Sequence, residues 1–210
     1  MAEKLPQVFW AVHSGLPREG PGDNLSTRKA YLMLEDLPEN PRILDIGCGP
    51  GMQTIELAKL SRGQVVALDN HQPFLEDLSR RAKKDSMNEN IITVKGDLFN
   101  LNYESNSFDL IWSEGAIYLI GFEKGLHEWR CLLTEKGYLV VSELSWLKPD
   151  LPKEVRTFMN EGYPAIKTIK ENMNVAREIG YRIVGFFVLP EKSWWDNYYT
   201  PIETKLRHES

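Results

Sequence analysis

Apolar positions along this chain follow two alternating periods. Residues 43–46, 64–68, 91–95, 107–112, 137–143 and 181–189 are short runs of branched and aromatic residues, the pattern of buried strands. Between them the spacing turns helical. Ser26 is placed to cap a helix from Thr27 to about Leu37, with Ala30, Leu34 and Leu37 on one face. Further helices are predicted over 52–61, 71–87 (Phe74, Leu75 and Leu78 inward), 122–133 (Leu126, Trp129, Leu132 and Leu133 inward), 151–161 and 168–179, the last stopped by Gly180. Strands that alternate with helices predict an α/β protein with a mostly parallel sheet and helices on both faces.

The stretch 43–51, Ile-Leu-Asp-Ile-Gly-Cys-Gly-Pro-Gly, organises the rest. A buried strand runs into three glycines at alternate positions, and Pro50 suits the approach to a helix. Strand, glycine turn and helix form the opening unit of a Rossmann-like, doubly wound sheet that binds nucleotides. A dinucleotide fingerprint would place its third glycine at position 52, where this chain has Met52. Asp45 stands at the mouth of the turn, where its charge repels a pyrophosphate and attracts an amine. S-adenosylmethionine carries an ammonium, a sulfonium and no phosphate, so it suits this turn better than NAD does.

The ends of the other strands supply more candidates. Asp69, with Asn70 beside it, closes the second strand about twenty residues after the turn, where an acid accepts ribose hydroxyls or caps the next helix. Ser113, Glu114 and Tyr118 follow the fourth strand, on the edge where ligands of open α/β sheets sit. Residues 1–25 have no helical period. They read either as a flexible leader or as a lid carrying Phe9, Trp10 and His13. Residues 190–210 form an aromatic tail, with Trp194, Trp195, Tyr198 and Tyr199 either in the core or in a wall of the substrate pocket.

Composition narrows the class. A chain of 210 residues with no linker-like stretch suits one domain over 1–210, and 42% hydrophobic residues allow a sizeable core. A net charge of −5 without a basic stripe argues against nucleic acid. No apolar run is long enough to span a membrane and no secretory signal is seen. Two cysteines, Cys48 and Cys131, suit reduced thiols in a cytoplasmic protein, and no metal-ligand spacing occurs.

From Ser26 to Leu189 the order of elements resembles the class I S-adenosylmethionine-dependent methyltransferases. It is most similar to the small-molecule branch around the ubiquinone/menaquinone-biosynthesis enzymes. Gly20-Pro21-Gly22, the run Ser113–Tyr118 and the aromatic pairs near the end resemble one sub-branch of it. The resemblance implies that Asp45, Gly47, Cys48, Gly49 and Gly51 form the methionine-side turn and that Asp69 and Asn70 hold the ribose. It also implies that Asp97 and the backbone at Leu98 read the adenine, with Ser113 and Glu114 alongside. The implied reaction moves a methyl group from S-adenosylmethionine to a small-molecule acceptor and leaves S-adenosylhomocysteine. His13, Glu114 and Tyr118 are the candidates for a base or a positioning group. The rival reading is a non-catalytic S-adenosylmethionine-binding or interaction protein on the same fold. The seventh, antiparallel strand of the family is not evident after Leu189. An unfinished sheet edge leaves the oligomeric state open, a homodimer included.

Overall fold

In the computed structural model, which describes residues 12–209, β1 (Arg42–Ile46) is the centre of the sheet. Every residue of β1 after Arg42 is buried, because both of its edges and both of its faces are covered. β2 (Gln64–Asp69) and β4 (Phe108–Ser113) flank it, β3 (Ile91–Lys95) lies outside β2 and β5 (Leu133–Val141) outside β4. The order is β3-β2-β1-β4-β5 and each pairing is parallel.

The two-residue period of the strands sorts the core into two layers. Ile43, Val65, Ala67, Leu110 and Trp112 face one side. There they meet α2 (Met52–Ser61), through Ile55, Leu57 and Ala58, and α3 (Gln72–Lys84), through Leu75, Leu78 and Ala82. The short α1 (Asn24–Tyr31) adds Ala30 and Tyr31 to that side. Leu44, Ile46, Val66, Leu68 and Ile111 face the other side, against α4 (Ile117–Ile120), α5 (Phe122–Trp129) and the later helix Ile169–Ile179. At about 1.5–3 kcal/mol per buried branched side chain, these layers drive the collapse.

The remaining elements are β6 (Ser145–Trp146), α6 (Lys153–Gly162), β7 (Lys167–Thr168), α7 (Ile169–Ile179), α8 (Lys192–Trp194), a π-helical turn (Trp195–Tyr199) and α9 (Thr200–Glu209). β6 and β7 pair in parallel as a small separate ladder. α7 is capped reciprocally by Thr168 and Glu171 and stops at Gly180 in the left-handed conformation.

Three expectations need correction. The first helix is capped by Asp23, not Ser26: the Ser26 backbone N–H donates to Asp23 Oδ1 at 2.8 Å. It ends at Tyr31, because Met33 and Leu34 bond back only three residues and tighten the chain into a turn. Leu34 and Leu37 still reach the core from that turn. The helix expected over 122–133 is α5 followed by a 3-10 turn at Arg130–Leu132, although Leu126, Trp129, Leu132 and Leu133 are all buried. Finally, residues 181–189 form no ladder. Tyr181 and Ile183 pack inward while Val184, Phe186 and Val188 are exposed, so the side chains alternate as in a strand. No described strand supplies the backbone partner, and strand propensity alone does not create one. The seventh strand is likewise absent among the described residues.

Candidate functional site

The carboxyl ends of β1, β2 and β4 meet at the glycine turn. The Gly47 and Cys48 backbone N–H groups both donate to the Leu68 carbonyl, at 2.8 and 3.0 Å, which pins the turn to β2. Gly47 has φ +71°, and a side chain there would strike the Ala116 Cβ. Gly51 has φ +83°, and a Cβ there would lie 2.8 Å from Leu78 Cγ in the core. These two glycines are therefore required by both conformation and space. Gly49 differs: a Cβ would meet only the Glu19 side chain, at 3.5 Å, so its open side faces the loop that covers the turn.

Asp45 is fully buried on the same side as α2. Its Oδ2 accepts from Thr54 Oγ1 at 2.6 Å and Gln53 Nε2 at 3.3 Å. Its Oδ1 is buried with no hydrogen-bond partner. Burial raises this carboxyl to about 7; the Thr54 bond opposes the rise and the Glu114 charge adds to it. Asp69, at the end of β2, accepts from the Gly49 N–H at 2.9 Å and the His71 N–H at 2.8 Å. It thus ties the glycine turn to the start of α3. Burial raises its carboxyl, against those backbone bonds. Cys48 is buried and its thiol is pushed well up by burial, so it is no nucleophile.

Glu114 is spent on structure. Its Oε1 accepts from Thr27 Oγ1 at 2.7 Å and Trp112 Nε1 at 2.9 Å, and its Oε2 accepts from the Arg18 guanidinium. Both oxygens are engaged by these three donors, so Glu114 ties β4 to α1 and to Arg18 where a free base was expected. Ser113 is corrected as a ligand contact. It is fully buried and its hydroxyl donates to the Ile46 carbonyl at 3.0 Å, stitching β4 to β1. Asn70 and Asp97 are exposed at the strand ends, and Asp97 Oδ1 accepts from the Phe99 N–H at 3.0 Å. Leu98 is buried.

A cover lies over this edge. Residues 13–22 run across the glycine turn, held from α3 by Arg81, whose Nη2 donates to the Leu16 carbonyl at 2.8 Å. The C-terminal tail clamps that loop. The Gly22 N–H donates to the Ser193 carbonyl at 3.0 Å, the Ser193 hydroxyl bonds to Asp23, and Asn197 Nδ2 donates to the Gly22 carbonyl at 3.2 Å. Lys205 Nζ reaches the Ser14 carbonyl at 2.6 Å. Phe9 and Trp10 lie outside the described residues.

His13 is buried in the cover, with Nδ1 2.6 Å from Glu19 Oε2 and its ring 6.2 Å from Tyr198. Burial, then the Lys205 charge, lowers its pKa. Burial first and the Asp69 charge second raise Glu19 to about 8. Both shifts favour the uncharged forms of the two partners. Tyr118 is half exposed, its ring edge-on to Tyr163 at 6.1 Å, and burial keeps its hydroxyl protonated.

The sequence reading missed Arg18, Glu19, Thr54 and Glu143. Glu143 leaves the carboxyl end of β5 beside Tyr163 and is raised to about 7 by burial. The rule that singled out Asp69, an acid at a strand's carboxyl end, also fits Glu143. Nothing in the loop around Arg18-Glu19 marks either residue as buried. Among the described residues no cluster of acids, histidines and cysteines could hold a metal, and no helix is long and apolar enough to cross a membrane.

The arrangement is a Rossmann-like fold that solved methyltransferase structures share. Residues 43–137 match the family described as "Methyltransferase domain". The chain is similar to sterol 24-C-methyltransferase erg-4 of Neurospora crassa, 24% identical over 99% of this chain and 58% of that one. It spans about half the length of several other fungal sterol 24-C-methyltransferases. Among solved structures, a SAM-dependent methyltransferase from Thiobacillus denitrificans in complex with S-adenosyl-L-homocysteine superposes with a TM-score of 0.85 at 20% identity. That match covers 98% of this chain and 83% of the other. The [4+2]-cyclase SpnF superposes at 0.71 and 17% identity, over 97% and 77%.

Proposed function

We propose that this chain binds S-adenosylmethionine at the glycine turn and transfers its methyl group to a small-molecule acceptor. One observation carries the reading: a buried carboxylate oxygen, Asp45 Oδ1, stands unpartnered at the turn. An unmet acceptor of this kind fits an ammonium group and disfavours a phosphate. Asp45 would hold the amine, the backbone of the glycine turn would lie against the methionine portion, and Asp69 would accept from the ribose. Asp97 and the Leu98 backbone would read the adenine.

When bound, S-adenosylmethionine supplies an electrophilic methyl group on a sulfonium. The protein's task is then to align the acceptor and exclude water. The cover of residues 13–22 and the tail performs the second part. Tyr118 positions the acceptor. His13, paired with Glu19 in the cover, is the candidate for a base.

The exposed free thiol of Cys131 and the buried free thiol of Cys48 support a reducing, cytoplasmic setting. A small, partly apolar acceptor fits the tyrosines of the tail and the sterol-modifying relatives. We place the chain in the quinone-biosynthesis-like sub-branch on its sequence motifs.

Calorimetric titration with S-adenosylhomocysteine, beside Asp69→Ala, tests the reading. Micromolar binding that the variant weakens supports it, and no binding by folded wild-type protein overturns it. The fold of a named [4+2]-cyclase favours one rival, a ligand-binding protein that moves no methyl group. Transfer of labelled methyl to any acceptor from a panel of small molecules excludes that rival.

A further inference from the structure

Arg18 is buried to within 4% of full enclosure, yet only one of its three guanidinium nitrogens has a partner. Nη2 bonds to Glu114, while Nε and Nη1 are buried and unpaired. Burying N–H donors of a charged group without acceptors costs about 1–3 kcal/mol or more, so such donors call for a missing acceptor. The Glu114 pair does not remove that cost, since it satisfies Nη2 alone.

The second orphan is close by. Asp45 on β1 is in register with Trp112 on β4, and Trp112 Nε1 donates to the same Glu114 that holds Arg18. The Arg18 charge is felt at the Asp45 carboxyl. One buried acceptor, Asp45 Oδ1, and two buried donors, Arg18 Nε and Nη1, therefore lie around one carboxylate at the mouth of the glycine turn. Gly22 leaves room for the guanidinium; a Cβ there would fall 2.8 Å from Arg18 Nε.

An α-amino acid presents an ammonium and a carboxylate on one carbon. We infer that Arg18 holds the α-carboxylate of the methyl donor's methionine portion, opposite the ammonium held by Asp45. The inference rests on the proposed donor site and adds the group that reads its anionic end. It also gives the cover a second function. Arg18 belongs to the loop over the turn, so a bound carboxylate fastens that loop.

The test compares S-adenosylhomocysteine with its decarboxylated analogue, which keeps the amine, by calorimetry on wild type and Arg18→Lys. Lysine keeps a cation for Glu114 but lacks the planar fork that sets donors at the Nε and Nη1 positions. Wild type is expected to bind the analogue about tenfold to hundredfold more weakly, the value of a charge-assisted hydrogen bond. Arg18→Lys should lose a similar factor for S-adenosylhomocysteine and change less than about twofold for the analogue. Equal wild-type affinity for the two ligands overturns the inference even if the variant does not fold. Equal losses for both ligands in Arg18→Lys also overturn it, since they would show a general packing role. Wild type that binds neither ligand sinks the donor-site reading itself.

Discussion

The glycine turn and the cover above it are built on opposite plans. The turn spans a few consecutive residues, and its requirements are local: left-handed backbone at Gly47 and Gly51, and an acid two residues before the first glycine. The cover joins the two ends of the chain, as in Lys205 to Ser14 and Ser193 to Asp23. Its hydrogen bonds often end on backbone carbonyls, such as those of Leu16, Gly22 and Ser193. A rigid platform and a clamped lid-like layer follow from this difference. The platform is fixed by backbone conformation and close packing, whereas opening the cover would break its rim hydrogen bonds and the buried Arg18–Glu114 pair.

The largest effect should come from the platform. Gly51→Ala forces a left-handed alanine against Leu78 and should cost about 2–4 kcal/mol, read as a lowered thermal midpoint. An unchanged midpoint would mean that the turn is not the rigid partner. Asp45→Asn comes next. It removes the charge proposed to hold the amine and should weaken S-adenosylhomocysteine by roughly tenfold to hundredfold. The free protein should not be destabilised at neutral pH, because burial already disfavours that charge.

The pH dependence separates the two layers further. Asp45 titrates near 7 in the free protein and the ligand amine favours its ionised form, so affinity should rise with pH through about 7 and then level off. Buffers of different ionisation heat should show proton release on binding below that pH. Glu19, raised to about 8, gives the matching sign for stability. A folded carboxyl with a raised pKa binds more protons than the unfolded one, so its contribution is full below about 4 and is lost as pH rises through about 8. Glu19→Gln should flatten that decline in the thermal midpoint.

The smallest effect belongs to the rim of the cover. Ser193→Ala removes one hydroxyl bond to Asp23 and should cost about 0.5–1.5 kcal/mol. Hydrogen exchange should quicken in residues 13–22 and stay unchanged in β1. Equal quickening in both would show that platform and cover open as one unit.

The boundaries that sequence periodicity located well lie on the platform side. The α2 span 52–61 and the β3 span 91–95 match the observed elements, since buried strands and amphipathic helices carry their own period. Segment 181–189 shows where the same logic stops. Its alternating residues satisfy a strand's side-chain pattern, but a ladder needs a neighbouring backbone, and pattern cannot supply one. Ser113 and Glu114 show the limit within the site. Their position after β4 was readable; their commitment to Ile46, Thr27, Trp112 and Arg18 was not, because those partners come from elements up to 96 residues away.

By itself the sequence determined the alternating architecture, the glycine turn with its acid and the strand-end position of Asp69, because each depends on neighbouring residues and backbone geometry. Only the tertiary structure decided which polar groups are satisfied. It spent Glu114 and Ser113 on scaffolding, paired His13 with Glu19, and left Asp45 and Arg18 buried with unmet bonds. Hydrogen-bond saturation is a sum over residues distant in sequence, and no local pattern records it.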